Sequence, residues 1–99
     1  SPRKPATPTM VAVIPVHSDV ESNAFEIAQT LRNAGIATEV GFSGNLSKRM
    51  KKANQRGARA AVLIGPDELK SGTCMLKDFS NGTQASIPLA DIAAHIAKL

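Results

Sequence analysis

Two charged side chains follow the central apolar strand of the 99-residue chain: Glu68, in the turn after it, and Lys77, in the strand beyond. A carboxylate there can accept hydrogen bonds from base amino and imino groups, and an ammonium can donate to carbonyl or phosphate oxygens; single-stranded RNA is read by such contacts. The cationic counterpart lies just upstream. Between residues 40 and 66 there is no Asp or Glu, whereas Lys48, Arg49, Lys51, Lys52, Arg56 and Arg59 supply six positive charges. Lys48, Lys51, Lys52 and Arg59 stand at i, i+3, i+4 and i+11, so a helical reading sets them on one flank, and Arg56 belongs to the same basic segment. Such a flank neutralises phosphates. Phe42, at the mouth of the preceding loop, offers a face on which a base can stack. Each residue also has a structural reading: a solvated helix face for the cations, dipole compensation in a first turn for Glu68, and a lid on the core for Phe42.

Catalytic chemistry finds less to work with. His17 follows the first strand, at the strand end where open α/β sheets hold ligands, but no motif sets a Ser, Cys or carboxylate beside it. His95 lies next to the apolar stripe of the last helix. Residues 41–44 lack the Lys-Ser/Thr of a phosphate loop and do not match a dinucleotide fingerprint. No His/Cys/Asp spacing suggests a metal. Cys74, the single cysteine, sits in an apolar strand, which excludes a disulfide framework and a cysteine metal site and makes it a small buried hydrophobe.

The elements that must position these groups follow from periodicity. Met10 to Pro15 is a short apolar run, hence a buried first strand. Ser18 and Glu21 have capping-box spacing. Ala24, Ile27, Ala28, Leu31 and Ala34 then repeat at helical intervals up to Gly35. Residues 36–40 read as a second strand and residues 41–45 as a loop. Leu46, Met50 and Ala53 form the narrow stripe of a second helix that stops at Gly57. The apolar strand follows, broken by Gly65-Pro66-Asp67, and Gly72 opens a strand at 73–79. Asn81-Gly82 predicts a tight hairpin returning through 84–88. Leu89, Ile92, Ala93 and Ile96 line a closing helix. The order β-α-β-α-β-β-β-α makes the first three strands parallel through right-handed crossovers. The fourth strand is antiparallel and the fifth parallel again. The expected fold is α/β, three layers, with a five-stranded mixed sheet between helices.

Composition fits one soluble domain at 10–99 preceded by a flexible linker at 1–9, where three of the six prolines fall. Apolar residues make up 42% and charged residues 20% of the chain, and the net charge of +4 favours a polyanionic partner. No apolar run is long enough for a membrane span and no signal peptide opens the chain, so the expected compartment is cytoplasmic.

From residue 10 onward the chain resembles the C-terminal anticodon-binding domains of class II aminoacyl-tRNA synthetases, the histidyl branch most closely. The resemblance rests on Val11-Ala12-Val13-Ile14-Pro15, on Leu31-Arg32-Asn33-Ala34-Gly35-Ile36, on Leu46 to Asn54 with Gly57-Ala58-Arg59, on Gly65-Pro66-Asp67-Glu68-Leu69, and on Gly72 with Leu76-Lys77-Asp78. The Gly-x-x-Glu turn and the later Lys recur in prolyl, threonyl, glycyl and histidyl members; the Lys-rich helix with Gly-Ala-Arg, and Lys77-Asp78, point to the histidyl branch. The resemblance implies a five-stranded mixed sheet with three helices that binds the anticodon loop of a histidine tRNA, with Glu68 and Lys77 at or near the anticodon and residues 48–59 bordering it. It also implies a homodimeric parent whose separate catalytic core uses ATP and Mg2+; this domain itself takes no cofactor. The class II core motifs and the histidine-binding signature are absent from these 99 residues. Three other readings remain open: a module of this fold that has lost tRNA binding and serves dimerisation or regulation, the equivalent domain of a prolyl, threonyl or glycyl enzyme, and a small free-standing α/β enzyme.

Overall fold

A continuous apolar strand is stable only when both of its faces are covered, and Met10–Pro15 (β1) meets that condition: every residue from Val11 to Pro15 is buried. The computed structural model describes residues 10–41 and 46–98; the linker predicted at 1–9 lies outside them. After β1 come Glu21–Asn33 (α1), Ala37–Val40 (β2), Leu46–Gln55 (α2), Ala60–Ile64 (β3), Pro66–Ser71 (α3), Thr73–Asp78 (β4), Gln84–Pro88 (β5) and Ile92–Ala97 (α4). The strands form one sheet in the order β2-β1-β3-β4-β5. β1 pairs in parallel with β2 and β3, and β4 runs antiparallel to both β3 and β5, the directions expected from two crossovers and a hairpin. The first strand made thus ends inside the sheet, flanked on both sides.

The pleat sends alternate residues to opposite faces, and two cores result. On one face Val11, Val13, Val62, Ile64, Cys74, Leu76 and Ile87 meet Ala24, Ala28 and Leu31 of α1 and Ile92 and Ile96 of α4. On the other, Ala12, Ile14, Ala61 and Leu63 meet Ala53 of α2, with Met50, Met75 and Phe79 at the margin. The first face carries two helices and is thickly covered. The second carries α2, which packs over β1 and β3.

Three local expectations are revised. The helix at Ser18 opens as a 3-10 turn, Ser18–Val20, capped by His17, whose Nδ1 accepts from the Asp19 amide at 3.2 Å; α1 then begins at Glu21 without a side-chain cap. Ser18 lies inside that turn and so does not cap it. The break at 65–67 is the start of a helix, not merely a turn. Pro66 fits a first helical position, Asp67 and Glu68 sit in the positive first turn, and Gly72 closes α3 at φ 72°. The hairpin is wider than a two-residue turn. The Gly82 amide donates to Asp78 O at 2.8 Å and the Asp78 amide to Thr83 O at 2.9 Å, which leaves four residues in the loop. No non-glycine residue among those described has positive φ, so Asn81 does not adopt the left-handed conformation that a type I′ turn requires. Gly82 alone in this loop does, at φ 74°, and the Asn81 side-chain oxygen accepts instead from the Thr83 amide at 2.9 Å and hydroxyl at 2.6 Å.

The β2 edge is guarded. The Arg32 guanidinium donates twice to Thr38 O, at 3.0 and 2.8 Å, occupying a carbonyl that would otherwise invite a foreign strand. No helix among the described residues is long and apolar enough to cross a membrane.

Candidate nucleic-acid interface

Among the described residues one helix lies on the second face of the five-stranded sheet and leaves part of it open. In register, Thr73, Met75 and Lys77 of β4 and Gln84, Ser86 and Pro88 of β5 share the face of Ala61 and Leu63, which is the face of α2. Thr73, Met75 and Lys77 are half-buried, and Gln84, Ser86 and Pro88 are exposed. The result is an open floor of mixed character: thioether and methylene surface, an ammonium, an amide and two hydroxyls. Lys77 stands opposite Gln84, and its Nζ donates to Gly82 O at 3.2 Å, which holds the ammonium at the hairpin end of the floor.

The basic helix borders this floor. In α2, Ala53 is buried and Met50 half-buried, while Lys48, Lys51 and Lys52 are exposed. At 100° per residue the cations divide between two flanks. Lys51 falls with Ser47 and Asn54 on one side of the buried line; Arg49, Lys52 and Arg56 fall on the other, and there they line a depression with Glu39 and Gly41 of the β2 end. Lys51 is therefore the cation nearest the open floor, and Lys48 rides the outer surface between the flanks.

Arg56 and Arg59, within the acid-free segment, find acids from elsewhere in the fold. Arg56 Nη2 lies 3.0 Å from Glu39 Oε2. Arg59 is not on the helix flank at all. Its amide donates to Met10 O at 2.7 Å, its carbonyl accepts from the Phe79 amide at 3.0 Å, and its Nε lies 3.4 Å from Asp78 Oδ1. Asp78 also accepts from the Ser80 amide at 2.9 Å and hydroxyl at 2.7 Å. These Ser80 hydrogen bonds first, and then Arg59, hold its carboxyl below the usual carboxylate range. Arg59, Asp78 and Ser80 thus clasp the entry of β3 to the base of the hairpin. Sequence reasoning did not find this clasp, although an Asp followed two residues later by Ser at a strand end is the signature of a side-chain-to-backbone turn.

Glu68 stands elsewhere. It is the third residue of α3, beyond the carboxyl end of β3 and half-buried, and its carboxylate folds back against Gly65: a Cβ at that glycine would overlap Glu68 Oε1. Its carbonyl accepts from Thr73 Oγ1 at 3.5 Å. Among the described residues no ion pair involves Glu68. Lys77 is four residues along β4 from Thr73, roughly 13 Å at strand rise. The two charged groups that follow β3 in sequence therefore stand at opposite ends of β4, and they address different parts of any bound strand. Phe42 lies outside the described residues.

The histidines and the cysteine have structural partners or none that suits catalysis. His17 Nδ1 lies 3.4 Å from Asp19 Oδ2, besides its capping bond. His95 is exposed on α4. Cys74 is fully buried, its Sγ 3.6 Å from Ile87 O, and burial pushes the thiol up to about 11. Among the described residues no group of His, Cys, Asp and Glu could hold a metal ion.

With this geometry in place, residues 10–99 match the family described as anticodon binding domain. Histidine–tRNA ligase of Rhodospirillum rubrum is 41% identical over 91 residues, 92% of this chain and 22% of that protein. The enzyme of Gluconacetobacter diazotrophicus is 38% identical over 95 residues, 96% of this chain and 23% of that protein. Among solved structures, histidyl-tRNA synthetase from Nostoc sp. PCC 7120 superposes with a TM-score of 0.87 at 32% identity, covering 93% of this chain and 22% of that one. The RNA binding domain of threonyl-tRNA synthetase from Cryptosporidium parvum Iowa II superposes with a TM-score of 0.83 over 93% of this chain and 24% of that one; at 14% identity that likeness is one of fold. The chain spans about a fifth to a quarter of the length of the relatives it matches.

Proposed function

The chain belongs to the anticodon binding domain family, and from that premise we propose that it recognises the anticodon loop of a histidine tRNA as one domain of a histidine–tRNA ligase. The observation that carries the reading is the uncovered half of the sheet beside α2, a surface with apolar contact area and hydrogen-bonding groups next to exposed lysines. Unstacked bases need such a surface: flat contact for the ring and donors or acceptors for its edge. Lys51 and Lys48 neutralise backbone phosphates and set the strand on the floor. Lys77 and Gln84 meet base or sugar groups at the hairpin end. Glu68, an acid beside a basic surface, repels phosphate and accepts from base donors at the other end. Arg59 acts through the clasp that fixes the hairpin. In the parent, a catalytic core outside these residues uses ATP and Mg2+ to activate histidine and charge the tRNA, and the ligase works as a cytoplasmic homodimer.

The test is titration of this chain with a histidine-tRNA anticodon stem-loop and with one of altered anticodon, across a salt series. Three to five phosphate contacts give a log–log salt slope of roughly −2 to −4. Lys51→Ala weakens both stem-loops alike, because a phosphate contact positions without reading. Glu68→Ala weakens the cognate more, shrinking the difference by about 1–3 kcal/mol if a paired base edge is lost. A flat salt response, or equal affinity for double-stranded DNA, would point instead to a module that has lost tRNA binding.

A further inference from the structure

The flank of α2 that faces away from the open floor forms, with the ends of β1 and β2, a cavity of about 140 Å3. Ala12, Gly41 and Ala53 line it, and their small side chains leave its space unfilled. That volume is well above the roughly 30 Å3 that a water occupies in the liquid, so an anion of phosphate size can enter. Among the described lining residues Arg49, Lys52 and Arg56 bring three cations and Glu39 one carboxylate, a formal charge of +2. The heads are partly fixed in advance: Arg49 Nη1 donates to Pro15 O at 2.6 Å, and Arg56 Nη2 lies 3.0 Å from Glu39 Oε2. The Lys52 ammonium makes no hydrogen bond or ion pair among the described residues.

We propose that this cavity is a phosphate site, distinct from the base-reading floor on the other side of the helix. A guanidinium presents planar paired N–H groups to phosphate oxygens, and a lysine adds a mobile point charge. From residue 49 to residue 56 the cationic row is about 10 Å long at helical rise, longer than one phosphate group needs and suited to successive phosphodiesters of a strand. The chemistry is shared by an RNA backbone and by free phosphates. RNA as the source rests on the function proposed above; the site itself rests on the cavity and its charges.

The experiment follows the backbone amides of Gly41, Ala53 and Arg56 by NMR in the isotopically labelled chain, titrated separately with inorganic pyrophosphate and with the cognate stem-loop. Pyrophosphate is expected to shift these amides and leave those of residues 84–87 in place. Lys52→Ala should weaken pyrophosphate about two- to fivefold, the range of a surface ion pair. Glu39→Gln should strengthen it by a similar factor, since it removes the one acid and releases Arg56, whereas Glu26→Gln on α1 should change nothing. If the stem-loop also shifts the groove amides and loses affinity in Lys52→Ala, the phosphate is RNA backbone; if pyrophosphate alone shifts them, the site serves free phosphates. A groove silent to both probes overturns the proposal even when the stem-loop shifts the β4–β5 amides, which would leave the tRNA reading standing. Groove shifts with pyrophosphate and no stem-loop binding at all would have the opposite meaning: the site stands and the tRNA reading falls.

Discussion

Gly65→Ala moves the Glu68 carboxylate without altering any charge. Gly65 has φ −127° and ψ 166°, extended backbone that alanine adopts freely, so the substitution carries no conformational penalty and loses about 0.4–1 kcal/mol of unfolded-state entropy in its favour. The cost lies in what the new methyl meets. Its ideal position overlaps Glu68 Oε1 and stands 3.0 Å from Val16 Cγ2. The carboxylate is the free end of a flexible side chain and swings away, giving up a place at the first turn of α3 worth about 0.3–1 kcal/mol; Val16, 42% exposed, has room to shift by a few tenths of an ångström. The net change in stability is therefore expected to stay within about 1 kcal/mol of zero by urea unfolding. The diagnostic measurement is the double-mutant cycle. Once Gly65→Ala has displaced the carboxylate, Glu68→Ala has little left to remove, so the two changes are expected to couple by about 0.3–1 kcal/mol, the size of the shared first-turn interaction. The same variant should blunt discrimination between cognate and altered stem-loops, as Glu68→Ala is expected to. Simple additivity in the cycle, or full discrimination with the fold intact, would refute the argument that the carboxylate acts from its place over Gly65.

Other perturbations read other parts of the fold. Asp78 has a folded pKa below its unfolded one, so its contribution is present above the ordinary carboxylate range and is lost as pH falls through the folded value; Asp78→Asn should flatten that acid limb in urea unfolding. Cys74 shows the reverse sign. With its thiol pushed up to about 11, the folded state holds the proton longer than the unfolded state, and stability should fall from about pH 9 upward through that value. Alkylation by iodoacetamide at neutral pH should wait for unfolding, and fast labelling of the native chain would contradict the burial of Sγ. Ile96→Ala, which empties a fully buried position where α4 meets the sheet, should cost about 2–5 kcal/mol by urea unfolding.

Wherever one residue type has one physical use, the sequence was legible. The β-branched runs gave strands, and the parallel crossovers followed from their spacing. Gly35 and Gly57 do stop α1 and α2, at φ 86° and 90°. Legibility failed where a residue has several uses close in energy. Asn81-Gly82 supports a type I′ turn, yet Asn81 spends its side chain on Thr83 and the loop widens. Ser18 is a good cap in general, but His17 stands one position earlier and reaches the Asp19 amide. The site was harder to read because proximity along the chain is not proximity in space. Between residues 40 and 66 the chain holds cations without acids, yet Glu39 and Asp78 come to Arg56 and Arg59 through strand pairing that no local pattern encodes. The same limit set Glu68 beside Lys77 in the sequence, whereas an antiparallel β4 carries Lys77 to the far end.

That β1 lies inside the sheet also bears on how the chain is made. Of the five strands, residues 10–15 leave the ribosome first, but the strands that flank them are residues 37–40 and 60–64. At ordinary rates of synthesis β1 waits roughly two to ten seconds for β3. Throughout that wait Val11, Val13 and Ile14 show apolar surface, and at least one edge of the strand has open hydrogen-bonding groups. α1 and β2 supply the earliest shelter, so nascent chains slowed between β2 and β3 should be held longest by chaperones, and mutations that weaken α1 should lower yield in cells by more than their effect on the finished fold.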